Sequence, residues 1–194
     1  MKNIDIIKER RSIHTFQSKE IPMEILENIF TYASYAPTHY MKEPWEIKLY
    51  QGKGKHQLIS RIIESYQRLG MIASNQDKKT LQTIQSIYRF LDDIPHHALI
   101  YFPRNENPVR YEEDYAAVSA FIQNAQLAAW EHGVGMLWTI TPYMHDPLFV
   151  SSVQLNSDHD KIAAVMQIGY PKKIPPAKDR TPIHEKLEIV DSLG

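Results

Sequence analysis

Between Asp114 and His132 the chain offers almost no polar face. Tyr115, Val118, Phe121, Ile122, Leu127 and Trp130, with alanines between them, point to every side of a helix of that length. A helix apolar nearly all round is stable only when it is buried in a core or an interface. This segment therefore predicts the longest helix of the chain, buried in a core or an interface. Gly133 ends it, and Val134 to Ile140 reads as a strand. Two further apolar runs, His97 to Phe102 and Ile162 to Gly169, read as buried strands.

The remaining elements alternate without a strict order. Ile4 and Ile7 are spaced for one face of a first helical turn. Ile21-Pro22-Met23-Glu24 reads as a helix start, with proline in the first turn, and the helix runs toward Pro37. Trp45, Ile47 and Leu49 alternate with Glu46 and Lys48, a half-buried strand that ends at Gly52-Lys53-Gly54. Helical spacing returns from His56 to Leu69 and again from Leu81 to Leu91, separated by the polar patch Ser74 to Lys79. That middle region is expected to be the mobile part, a lid. The chain closes on a proline- and lysine-rich stretch and an extended tail, whose apolar Ile183, Leu187, Ile189 and Val190 are expected to dock. With neither repeats nor a linker, the expectation is a single α+β domain over 1–194.

Composition narrows the function. A net charge of −1 and a pI of 6.8 give no electrostatic footprint for nucleic acid. No apolar run approaches the roughly 20 residues of a membrane span, and Met1 to Asp5 carries no hydrophobic signal region. A cytoplasmic protein is expected. The absence of cysteine excludes disulfides, thiol catalysis and iron–sulfur ligation by cysteine, so any redox chemistry has to come from a bound cofactor.

Motifs for other chemistries are poor. Gly52 and Gly54 lack a third glycine, and Gly133 and Gly135 follow a helix and precede a strand, the reverse of a dinucleotide-binding fold. The nine histidines have no metal-ligand spacing, and no serine sits in a nucleophile elbow. Arg10-Arg11-Ser12-Ile13-His14 is more informative. An Arg guanidinium matches phosphate oxygens and Ser12 adds a shorter bond, although the same stretch also serves as a solvated helix end. Lys178 and Arg180, two apart on an extended segment, project to one side. They are either a second contribution to an anion or a solvated tail.

Taken in order, Arg10-Arg11-Ser12-Ile13-His14, Ala36-Pro37-Thr38-His39 with Glu43-Pro44-Trp45, Gly133-Val134-Gly135 leading to Trp138, and Lys178-x-Arg180 resemble the FMN-dependent nitroreductase family, in particular its small bacterial NAD(P)H nitroreductases. The resemblance covers nearly the whole chain. It implies a central mixed or antiparallel sheet flanked by helices, with a C-terminal tail extending toward a partner subunit. It also implies a homodimer with two FMN sites at the interface. Arg10 and Ser12, with Arg11 beside them, would reach the phosphate and ribityl oxygens, and Lys178 and Arg180 would close on the phosphate. Tyr35 and His39 would come from the partner chain. Trp138, Thr139 and Ile140 would border the isoalloxazine, and Ala128 to Gly133 would meet the pyridine nucleotide.

Two departures accompany the resemblance. His14 stands where many members carry Lys or Arg near the flavin N1–O2 edge, and Glu43 replaces an amide before Pro-Trp. The implied activity is ping-pong transfer from NAD(P)H to a nitroaromatic, quinone or similar small oxidised acceptor. The flavin would do the chemistry without a catalytic side chain. The alternatives are dehalogenation or enoate reduction on the same fold, or non-catalytic flavin binding.

Overall fold

Four antiparallel strands, β1 (Glu46–Tyr50), β2 (His96–Pro103), β3 (Gly135–Thr139) and β4 (Asp160–Gly169), form one sheet in the order β1-β2-β4-β3. They belong to a computed structural model that describes residues 3–75 and 77–192, and the side chains of residues 3 and 4 are outside the description. The expected signal-free start at Met1-Lys2, the Ile4 half of the first apolar stripe, and the ends of the domain read over 1–194 lie outside the described residues.

Successive residues of a strand face opposite sides, and here both sides are covered. Ala98, Ile100 and Phe102 of β2 join Ala164, Met166 and Ile168 of β4 in a core with α2 (Met23–Ala33) and α5 (Pro108–Glu131). The intervening Leu99 and Val165 enter a second core. It contains Leu58, Ile59 and Ile62 of α3 (Gly52–Arg68), Leu91 of α4 (Lys78–Asp92), and Phe149 and Val150 of α6 (Pro147–Ser152). Burial on both faces explains why β2 and β4 read as continuous apolar runs instead of alternating ones. A bulge at Ile100/Tyr101 lets Ala163 drop out of register.

The apolar segment is the long buried helix expected, but α5 begins six residues before Asp114. The Asn107 side chain accepts hydrogen bonds from the N–H groups of Val109 and Arg110, and Pro108 occupies the first turn. That is an ordinary N-terminal cap, and the polar residues 110–114 hide it from a search for apolar spacing. Likewise α3 begins four residues before His56 and takes in Gly52 to Gly54, where the first strand was expected to end. At its other end α5 stops as expected: Gly133 has φ +68°, and Val134 N–H returns to the Ala129 carbonyl at 2.8 Å.

The tail departs from expectation. Ile183, Leu187, Ile189 and Val190 are exposed, 58% or more, instead of docked on their own chain. The tail holds to the body where Lys172 N–H meets the Thr15 carbonyl. Among the described residues its scattered apolar side chains find no complementary surface.

Candidate active site

The segment after α1 (Asn3–Glu9) leaves the helix and runs along the edge of β3. Ser12 forms a parallel bridge with Met136, Ile13 N–H donates to the Met136 carbonyl at 3.1 Å, and Phe16 bridges Pro171. Ile13 is fully buried, which fixes the register and leaves Ser12 and His14 exposed on either side of it. This close approach needs Gly135. A β-carbon there would lie 2.5 Å from Ile13 Cγ1 and 3.0 Å from Pro171 Cγ.

Arg10 is half-buried beneath this crossing. Its Nη1 reaches Gln126 Oε1 at 3.4 Å, and its Nε is buried without a partner. Burial, then the nearby charges of Arg180 and Arg11, make its proton easier to lose than that of an ordinary guanidinium. Arg180, from the far end of the chain, therefore lies near enough for its charge to act on Arg10. Among the described residues neither Arg10, Arg11, Lys178 nor Arg180 pairs with a carboxylate. Like charges gathered without a counter-charge raise the energy of the free protein, and an anion relieves it. Arg11 is differently engaged, because its Nη1 folds back onto the carbonyls of Lys8, Glu9 and Arg10 and caps α1.

Trp138 lies on β3 opposite Met166, and its indole Nε1 is buried without an acceptor. The Thr139 hydroxyl is taken by the Val165 carbonyl at 2.6 Å, and Ile140, just past the strand, is 62% exposed. His14 opens on a recess of about 120 Å³ bounded by Phe90, Asp93, Ile94 and Lys172. Ala128 to Gly133 forms the last turn of α5, with Ala129 fully buried.

Tyr35 and His39 lie elsewhere. Tyr35 is 82% exposed. His39 contacts Glu113 and Arg110 near the start of α5, whereas Arg10 meets Gln126 near its end. Glu113 and Gln126 are separated by about 20 Å along the helix at 1.5 Å per residue. The loop that carries His39 is unusual, because Tyr40, Met41 and Glu43 all have positive φ, 51°, 54° and 47°. Such residues cost on the order of 1 kcal/mol or more each and persist where neighbours hold them. Lys42 Nζ provides one hold, 2.6 Å from the buried carboxylate of Asp114.

Sequence reasoning missed Gln126, Asp114, Glu113 and Arg110. Gln126 and Asp114 carry a usable signal, a polar residue on the buried face of an otherwise apolar helix. Among the described residues no group of three or more His, Asp or Glu is placed to hold a metal, and no helix is long and apolar enough to cross a membrane.

The fold and the edge of β3 define a class: an α+β protein with a basic segment laid along a sheet edge, without a glycine-rich loop. The chain belongs to the nitroreductase family, whose profile matches residues 7–170. It is 33% identical over 184 residues, 94% of this chain and 91% of the other, to Bacillus subtilis YfhC, provisionally named an NAD(P)H nitroreductase. The crystal structure of a nitroreductase-like family protein from Bacillus cereus superposes with a TM-score of 0.88 at 32% identity, covering 99% and 97% of the two chains. The FMN-dependent nitroreductase NfnB of Mycobacterium smegmatis, solved with NADPH, shares the fold at a TM-score of 0.72 and 16% identity, covering 97% and 98%. Mouse iodotyrosine deiodinase 1 is 25% identical over 180 residues, 87% of this chain and 62% of that protein.

Proposed function

We propose that this chain is an FMN-dependent oxidoreductase that moves reducing equivalents from NAD(P)H to small oxidised acceptors such as nitroaromatics or quinones. The observation that carries the reading is Arg10, half-buried at the segment along β3 with an unpartnered Nε and, among the described residues, no carboxylate partner, whose charge Arg180 also reaches. Orphaned buried donors and uncompensated cations suit a ligand with a phosphate and a polar ring system. The names of YfhC and NfnB agree with that choice.

FMN, when bound, would supply the hydride chemistry that the side chains of a cysteine-free chain do not. The chain's own residues bind and orient it. Arg10 and Arg180, with Lys178, hold the phosphate by charge-assisted bonds, and Ser12 adds a hydroxyl contact. Arg11 stiffens the end of α1, so that Arg10 leaves it in one direction. Trp138 and Ile140 wall the ring and exclude water, with Thr139 fixed by its bond to β4. His14 meets the pyrimidine edge. NAD(P)H and the acceptor would occupy one slot in turn, which would make turnover ping-pong.

His39 contacts the start of α5, about 20 Å along the helix from the Gln126 that Arg10 meets, Tyr35 is 82% exposed, and the apolar tail side chains stay exposed among the described residues. These features favour a homodimer in which each FMN is lined by two copies, and the cytoplasm suits its reductants.

Fluorescence titration with FMN, followed by anaerobic NADH or NADPH titration, tests the reading. Quenching, bleaching of the flavin absorbance and its return on adding a nitroaromatic or quinone are expected. Failure to bind FMN defeats it, and binding without bleaching leaves a flavin-binding protein. A second reading, reductive dehalogenation, draws on the iodotyrosine deiodinase likeness. It is favoured if only a halogenated phenol restores the absorbance.

A further inference from the structure

Three side-chain atoms meet at the loop after α2. His39 Nδ1 lies 2.9 Å from Glu113 Oε2 and 3.0 Å from Arg110 Nη1, and those two atoms are 2.9 Å apart. A guanidinium nitrogen only donates and a carboxylate oxygen only accepts. Nδ1 therefore receives opposite demands. Carrying the proton, it donates to Glu113 and faces the Arg110 N–H. Without the proton, it accepts from Arg110 and sets its lone pair against the carboxylate.

The triangle is not balanced. Arg110 has a second outlet in Glu113 itself, and Oε2 has room to accept from both neighbours. The proton on Nδ1 thus satisfies the carboxylate twice and leaves no lone pairs opposed. Consistently, His39 first and then Arg110 hold the Glu113 carboxyl below the usual range. The ring itself is held in place. It stacks on Tyr40 with centroids 4.2 Å apart, and the loop is tied a second time through Lys42 and Asp114.

We propose that Glu113 is a positioning residue for His39, which keeps its ring proton on Nδ1 against the competing Arg110 N–H so that the loop presents Nε2 to a bound ligand. The cofactor reading above enters only in naming that ligand, an FMN held mainly by a second copy of the chain. The His39 side chain is about half exposed, and among the described residues its hydrogen bonds run through Nδ1.

The test is ¹⁵N NMR of histidine-labelled protein without cofactor, in mildly alkaline buffer where an exposed imidazole is neutral, with His39→Gln to assign the signal. Wild type and Arg110→Ala are expected to show the proton on Nδ1. Glu113→Ala, which leaves Nδ1 only the Arg110 donor, is expected to move it to Nε2. A merely structural Glu113 would change the melting temperature without moving the proton. Wild type with the proton on Nε2, or Glu113→Ala with an unchanged tautomer, overturns the proposal.

FMN titration reads the ligand separately. Glu113→Ala is expected to weaken binding in the wild-type background and to add nothing to His39→Ala. Equal losses in both backgrounds overturn a role through His39. FMN that does not bind wild type at all defeats the cofactor reading, while the tautomer still decides the positioning.

Discussion

Ile13 lies so close over Gly135 that any β-carbon at that position would sit 2.5 Å from its Cγ1. This contact seats the segment that carries Arg10, Ser12 and His14 on β3. Gly135→Ala is expected to lift the segment, with a stability loss of about 1–3 kcal/mol, as for other overpacked sites. FMN affinity falls with it. Denaturant unfolding and FMN titration of one variant check both effects, and unchanged affinity would show that the segment's seating does not matter to the cofactor.

Arg10 and Arg180 should behave oppositely toward folding and binding. Their mutual repulsion opposes the free protein, so Arg180→Ala is expected to leave the thermal stability of the cofactor-free chain unchanged or slightly raised. The same substitution removes a charge-assisted contact to phosphate. Either Arg10→Ala or Arg180→Ala is expected to weaken FMN binding about ten- to a hundredfold, from roughly 1.5–3 kcal/mol per contact. Riboflavin, which lacks the phosphate, should bind both variants and wild type alike. A loss of riboflavin binding as large as that of FMN would place these arginines away from the phosphate.

His97 predicts an acid weakness. Its Nε2–H donates to the Leu91 carbonyl at 2.9 Å inside the protein. Burial, the largest cause, pushes its pKa from 6.5 down to about 4. As pH falls, the unfolded chain takes up this proton near 6.5, and the folded chain does not until about 4. Stability is therefore complete above about pH 6.5 and declines toward pH 4, by about 3 kcal/mol for this one group. Burial shifts His96, whose Nε2 accepts from Ile21 N–H, in the same direction. Urea unfolding across that range measures the slope, and His97→Gln should flatten it.

Asp146 joins α3 to α6. Its Oδ2 accepts from the Ser65 hydroxyl and from Nε and Nη2 of Arg68, and its Oδ1 caps α6 through Leu148 N–H. Both Asp146 and Ser65 are buried. Asp146→Ala strands the Ser65 hydroxyl and the guanidinium together, and is expected to destabilise by about 3–5 kcal/mol. Asp146→Asn keeps the cap and should cost less. Comparison of the two midpoints in urea checks the order.

The residues between Asp114 and Glu131 dictate by themselves that α5 is buried, because no rotation of so apolar a helix presents a polar face to water. The runs in β2 and β4, the stop at Gly133 and the basic stretch at Arg10 are equally local, and so were readable. The start of α5 at Pro108 was not, since its cap precedes polar residues that carry no burial signal. Apolar spacing records which face a segment hides but not the partner it hides against. Only the tertiary structure decides the order β1-β2-β4-β3, the seating of Ile13 on Gly135, the reach of Arg180's charge to Arg10 and the meeting of His39 with Arg110 and Glu113. Each joins residues distant in sequence, and depends on how whole layers pack, which no local pattern contains.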